Sequence, residues 1–246
     1  FDTLNKTMVI MGGEDLSLEE NKHLLIVDCA TDGVLPFGEV LQNTWLWGRD
    51  AHGYAYNPAR DETLIFGGFG RLVEDTIAEG EHLNEFWIYD HAATEWYQPV
   101  LNTVIGMFNR EGATIVYDTF RDRYLIFGGL SGNNTSNNRF FNDTWELKAS
   151  AVGVLGVYTL TKLAPTGNKP TAVWLHAAVY DATNDRMIIF GGDDGTSFRN
   201  DVYALSFSGG ADGAWSSIIP SGTAPSARRQ AAYAIDTGEN VMLISH

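Results

Sequence analysis

The stretch RMIIFGGDDGTSFRNDVYAL, residues 186–205, decides the fold. Met187 to Phe190 form a short apolar run that ends in Gly191 and Gly192. A polar loop follows, and Asn200–Asp201 opens a second strand-like run. Runs this short, rich in Ile, Leu, Phe and Tyr, read as buried strands and not as helices. Glycines at a strand exit permit positive φ and close backbone approach, which a Cβ would block.

The same unit recurs along the chain. YDATNDRMIIFGG (180–192) matches YDTFRDRYLIFGG (117–129), YNPARDETLIFGG (56–68) and FDTLNKTMVIMGG (1–13). A further copy, IDTGENVMLISH (235–246), has lost both glycines. The first glycines, Gly12, Gly67, Gly128 and Gly191, are 55, 61 and 63 residues apart. After each pair an Asn with Asp or Glu and an aromatic open the next strand: NEFWIYD (84–90), NDTWELK (142–148) and NDVYALSF (200–207). A strand centred on Trp96, Tyr158 or Trp215 comes next. The unit closes with RDAHGYAY (49–56), REGATIVY (110–117), VWLHAAVY (173–180) or RRQAAYAI (228–235).

This combination of apolar run, Gly-Gly, spaced Tyr/Trp and Arg-x-x-His resembles the Kelch repeat, over nearly the whole chain. The resemblance implies an all-β fold, a β-propeller of four-stranded antiparallel blades around a central channel. The Arg-x-x-His segment is then innermost, the Gly-Gly strand second, the Asn-Asp strand third and the Trp strand outermost. One domain, 1–246, would hold three complete blades, 49–100, 110–163 and 173–220, and two partial ones, 1–48 and 228–246. In the first, HLLIVDCATDGV (23–34) reads as third strand plus turn, with NTWLWG (43–48) as fourth strand. Partial blades leave open edges, so the ring is expected to be completed by a longer polypeptide or by a partner. Asp118 and Asp181 are expected to close turns through backbone N–H groups, and Trp96 and Trp215 to pack between blades.

Bulk properties narrow the function classes. The chain has 246 residues, mean hydropathy -0.13 and net charge -15. It needs no metal or disulfide to build a core, since a chain of this size buries roughly 70–75% of its extended surface. Its acidity excludes nucleic acid as the expected partner, because phosphate binding requires a basic footprint. No apolar run approaches the roughly 20 residues of a membrane span, so no membrane insertion is expected. Cys29 stands alone, which rules out an intramolecular disulfide and a cysteine-rich zinc site. Asn/Gly/Ser/Thr-rich loops and low lysine resemble secreted bacterial Kelch proteins, an extracellular or periplasmic setting. A cytoplasmic scaffold fits the same features.

Binding in such a fold belongs to loops at the channel mouth. The loops after Gly-Gly, 69–83, 130–141 and 193–199, differ in length while the strands hold their pattern. Arg71, Arg139 and Arg199 lie in those loops, and Arg49, Arg110 and Arg228 open inner strands. As a set they could hold carboxylates bidentately. The strand-opening arginines have a second reading, as structural partners of turn carboxylates or carbonyls. His52 and His176 are expected to hydrogen-bond backbone within their blades, and His82 and His91 to be exposed. Sequons occur at Asn5, Asn133, Asn134 and Asn142.

No nucleophile elbow, Walker loop or zinc signature appears, so no catalytic residue and no cofactor are expected. The spacing Asp15-x3-Glu19-x3-His23 is the one metal-like set. It resembles the iron-type loop of Kelch proteins that steer nitrile formation, with the two acids exchanged. Glu81 and His82 resemble parts of sialate-mutarotase sites without a motif to anchor them. The reading is a non-enzymatic scaffold that binds a protein partner through its mouth loops. The alternatives are a carbohydrate-binding or carbohydrate-modifying propeller and a metal-dependent Kelch enzyme.

Overall fold

The computed structural model describes residues 7–11, 24–28, 33–34, 48–70, 80–102, 106–132, 137–150 and 156–245. Every regular element among them is a strand. The apolar runs form Glu62–Phe66, Arg123–Phe127 and Arg186–Phe190, each flanked by antiparallel neighbours. The second blade runs from the axis outward as Gly53–Asn57, Glu62–Phe66, Phe86–Asp90 and Glu95–Tyr97. The third is Thr114–Asp118, Arg123–Phe127, Thr144–Ala149 and Val157–Lys162. The fourth is Ala177–Asp181, Arg186–Phe190, Val202–Ser206 and Ala214–Ile218. The inner strands of these blades and Tyr233–Asp236 of a last, two-stranded sheet neighbour one another in turn.

Two features differ from the sequence reading. In the first sheet, Thr7–Met11 pairs with Leu24–Asp28, which pairs with Gly33–Val34. Gly33–Val34 lies beside Leu24–Asp28 as Glu95–Tyr97 lies beside Phe86–Asp90, while residues 43–47 of the segment read as fourth strand lie outside the described residues. The third and fourth blades also carry a fifth, outermost strand. Val100–Leu101 lies parallel to Val157–Tyr158, and Thr166–Gly167 lies parallel to Ala214–Trp215. Each comes from the connection that leaves the preceding blade, so the linker covers the next blade's open edge.

The hairpin turns repeat one chemistry. Asp118 Oδ1 accepts from the N–H of Phe120 and Arg121, and Asp181 Oδ1 from that of Asn184, at 3.1–3.2 Å. Asp61, Asp122, Asp185 and Asn240 take left-handed φ of 49–54°, which Asp and Asn tolerate best among side-chain-bearing residues. The hydroxyls of Tyr56, Tyr117 and Tyr180 donate to Asp61, Asp122 and Asp185. Between blades, Arg60 reaches Asp122, and Arg121 reaches Asp185 through two bonds of 2.7 Å. The positions that would continue this series, Asn184 and Asn240, carry no charge.

Blades meet face to face through two apolar clusters. One joins Leu64, Phe66, Phe86 and Ile88 to Ile115, Ile126, Leu147 and Tyr158. The other joins Val116, Leu125 and Phe127 to Ala178, Met187, Ile189, Leu205 and Trp215. Trp215 meets Phe127 of the neighbouring blade at 5.0 Å, whereas Trp96 packs on Tyr89 of its own blade at 5.1 Å. Glu62 sits at the first seam and accepts the hydroxyls of Tyr124 and Tyr158 at 3.0 and 2.8 Å. Burial pushes its carboxyl above the usual range, against those two hydrogen bonds.

Candidate functional site

Strand-opening segments and post-glycine loops converge at one end of the blades. Asp50 pairs with Phe69, Glu111 with Leu130 and Trp174 with Asp193. The Gly-Gly pairs bind this end to the following blade. The N–H groups of Gly68, Gly129 and Gly192 donate to the carbonyls of Arg110, Val173 and Arg228 at 2.8–3.0 Å. At Gly67, φ is +65° and a Cβ would lie 2.3 Å from the Arg110 carbonyl oxygen. Only glycine fits there.

A second set of main-chain bonds lies nearer the axis. Gly112 N–H donates to Ala51 O, Leu175 N–H to Gly112 O and Gln230 N–H to Leu175 O, at 2.7, 2.8 and 2.9 Å. All four residues have positive φ, from 47° to 61°. With His52, Tyr54, Thr114, His176 and Tyr233 they line a cavity of about 300 Å³.

Five of the six arginines assigned to the mouth lie among the described residues, and they fall into separate environments. Arg49 and Arg110 are fully buried. Arg110 Nη1 donates to Gly128 O at 2.9 Å and Asp143 Oδ1 at 2.7 Å, while Nη2 reaches Asp143 Oδ2 at 3.3 Å. Burial raises the Asp143 carboxyl, but the hydrogen bond and charge of Arg110 hold it below the usual range. Arg49 binds Gly67 O and Glu85 in the equivalent way, and burial lowers its pKa. Each arginine thus clasps the glycine exit to the acid that opens the third strand, and neither is open to a partner. In the fourth blade Val173 stands at this position. Its acid, Asp201, is bound instead by Arg199, whose pKa that hydrogen bond raises. Arg228 is half-buried, and its side chain bonds only Ser226 among the described residues.

Arg139 differs from all of these. It is exposed, and its guanidinium lies 4.2 Å over the Phe108 ring and 5.2 Å from Phe141. Among the described residues it has no carboxylate partner. Phe108 is 49% exposed and stacks on Phe141, whose other neighbour is the Arg110 guanidinium at 3.9 Å. Phe140 reaches the next post-glycine loop at Gly195. There Arg229 bonds Asp193 at 2.9 Å and lies near the rings of Trp174 and Phe198. Phe108 with Arg139, and Phe198 with Arg229, thus place exposed rings beside guanidinium groups at two successive post-glycine loops. Phe108 and Arg229 escaped the sequence reading, and Phe141 and Phe198 entered it only as members of the loops 130–141 and 193–199. The signal was an aromatic two residues before a strand-opening Arg, and another just before Asn142.

The histidines also sit differently from expectation. His82 is buried, not exposed, because the short pairing of Phe69–Gly70 with Glu81–His82 tucks its ring against Phe69, 3.4 Å from Glu111. His91 is half-buried and bonded to Thr63. His176 Nε2 meets the Thr114 hydroxyl of the adjacent blade at 2.6 Å, in place of backbone. Burial lowers the pKa of His176 to about 3; burial and then the Arg49 charge lower that of His52 to about 4. Both are neutral in the folded state, while the unfolded chain takes up protons below pH ~6.5. Stability is therefore full above that pH and falls as pH drops toward 4 and then 3. The expected slope is up to about 1.4 kcal/mol per pH unit for each histidine. Urea unfolding of the wild type and of His176→Gln from pH 7 to pH 4 checks this; parallel slopes would refute it.

Arg71, Asp15, Glu19 and His23 lie outside the described residues. Among the described residues no three His, Cys, Asp or Glu side chains gather as a metal cluster. No described helix is long and apolar enough to cross a membrane.

Blade order, glycine exits and clasping arginines together define a Kelch-type β-propeller. The chain belongs to the KLHDC2/KLHL20/DRC7 Kelch-repeats domain family, whose pattern matches residues 53–245. It is 37% identical over 83 residues to the dynein regulatory complex subunit 7 of Chlamydomonas reinhardtii. That match covers 32% of this chain and 7% of the relative's length.

Proposed function

We propose that this propeller is a non-enzymatic protein-binding module that engages its partner through the mouth loops and serves in the assembly of a larger complex. The observation that carries the reading is Arg139, a guanidinium held on two phenyl rings with its hydrogen-bonding edge unclaimed by any described carboxylate. Ring stacking orients the cation, and an orienting surface of Phe and Arg is what protein interfaces concentrate at their centres. Arg229 and Phe198 extend the same surface. The family is one of Kelch-repeat domains, and the relative is by name a subunit of a complex, which is consistent with an assembly role. Against a sugar-binding reading, the Phe108 ring already carries a guanidinium over it.

Selection from a displayed peptide library tests the reading. The chain is expected to enrich peptides bearing a carboxylate, and Arg139→Ala is expected to weaken the enriched peptides about tenfold or more. Enrichment that Arg139→Ala and Phe108→Ala leave unchanged would remove the mouth as the binding surface.

A further inference from the structure

The short pairing after each glycine exit puts one residue of every blade at the same station of the mouth. In the third blade Leu130 pairs with Phe140 and Ser131 with Arg139. In the second, Phe69 pairs with His82 and Gly70 with Glu81, in the same register. In the fourth, Asp193 bridges Phe198. Glu81, Arg139 and Ser197 each precede the partner of the first residue after Gly-Gly, so they are equivalent in three successive blades. Side chains at one register position leave the strand on the same side. All three residues are exposed.

The main chain fixes this station, while its charge changes from blade to blade: an acid, a cation, then a neutral hydroxyl. Other charges at the mouth are matched within the fold, Arg229 by Asp193 and Arg199 by Asp201. Glu81 and Arg139 are not: neither side chain has an ion-pair or hydrogen-bond partner among the described residues. Arg139 is nonetheless held in place, on the rings of Phe108 and Phe141. Adjacent blades therefore present an unmatched anion and an unmatched cation at equivalent points.

The charge of the whole chain bears on what can approach them. At -15, it repels a segment rich in Asp and Glu, and one cation at the mouth does not reverse that field. A segment with a basic residue beside its acid is attracted, meets Glu81, and still delivers its carboxylate to Arg139.

We propose that Glu81 is a specificity-determining residue of the mouth. With Arg139 it reads a pair of opposite charges on one partner segment: Lys or Arg against Glu81, Asp or Glu against Arg139. Ser197 adds no charge, and the exposed Phe198 ring next to it offers an apolar contact. A segment with acids at both places would set like charges face to face, and that penalty selects as strongly as the attraction does. This specificity rests on the mouth being the binding surface, as proposed above, and adds the cation that the partner carries.

The probe is a displayed library of random linear peptides, selected in parallel on the wild type, on Glu81→Lys and on the double exchange of Glu81→Arg with Arg139→Glu. The wild type is expected to enrich peptides with Lys or Arg near Asp or Glu, and Glu81→Gln should weaken those about tenfold. Changing their basic residue to Gln should cost a similar factor on the wild type and nothing further on Glu81→Gln. Glu81→Lys should select peptides with two acids, and the double exchange should select opposite charges in the reverse order. Unchanged thermal midpoints establish that the variants are folded. Enriched peptides that lose affinity with Arg139→Ala but carry no basic residue, or bind Glu81→Lys equally well, overturn the role of Glu81 and leave the mouth as the binding surface. Failure to enrich any peptide, or enrichment indifferent to Arg139→Ala, overturns both.

Discussion

Replacing Arg110 with alanine is expected to destabilise the protein by about 3–5 kcal/mol, the range seen when one partner of a buried ion pair is removed. The side chain is fully buried, so the loss is not one of surface charge. Alanine would leave the Asp143 carboxylate and the Gly128 carbonyl without their donor. It would also strip the cation from the inner face of Phe141. The Trp145 indole N–H still donates to Asp143 at 2.9 Å and Lys162 Nζ stays 3.9 Å away, so the acid keeps two weaker partners. Denaturant midpoints for Arg110→Ala and Arg110→Lys measure the effect. Lysine keeps the charge but not the fork, and should recover only part of the loss. A loss under about 1 kcal/mol for alanine would mean the clasp is marginal, as exposed ion pairs are.

Trp215→Ala should cost a similar 3–5 kcal/mol, for a different reason. Trp215 is 2% exposed and fills the seam between the third and fourth blades, against Phe127. Its cavity would open beside Leu205 and Met187, residues fixed by strand pairing and poorly able to collapse inward. Trp215→Phe should cost clearly less, because a ring still occupies the seam. Its indole nitrogen has no hydrogen-bond partner among the described residues, so the energy lies in packing. Thermal unfolding of the two variants separates the cases; equal losses would place the energy elsewhere.

Most of the fold was readable because it is written several times. The Gly-Gly exits, the turn acids and the order of strands recur with the same neighbours, so each copy corrects the reading of the next. What escaped lacks a local signature. Val100–Leu101 and Thr166–Gly167 are two-residue strands whose pairing depends on the edge of the following blade. Gly33–Val34, likewise two residues long, was read only as part of a turn. His82 looked polar and loop-bound until the pairing with Phe69 covered it. At the mouth, the charge of six arginines was visible but their division was not. For Arg110 with Asp143 and Arg139 with Phe108, the group that the guanidinium faces lies more than 30 positions away.

The bonds from Gly112 to Ala51, from Leu175 to Gly112 and from Gln230 to Leu175 join successive blades through peptide groups alone. Glycine, leucine and glutamine all serve there, because the coupling uses the main-chain N–H and C=O that every residue type except proline possesses. The joint between neighbours is thus generic, while the surface above it is particular to each loop. Such a junction lets units be duplicated, exchanged or lost in evolution without redesign of the hub, and it lets the mouth diversify independently of the scaffold that carries it.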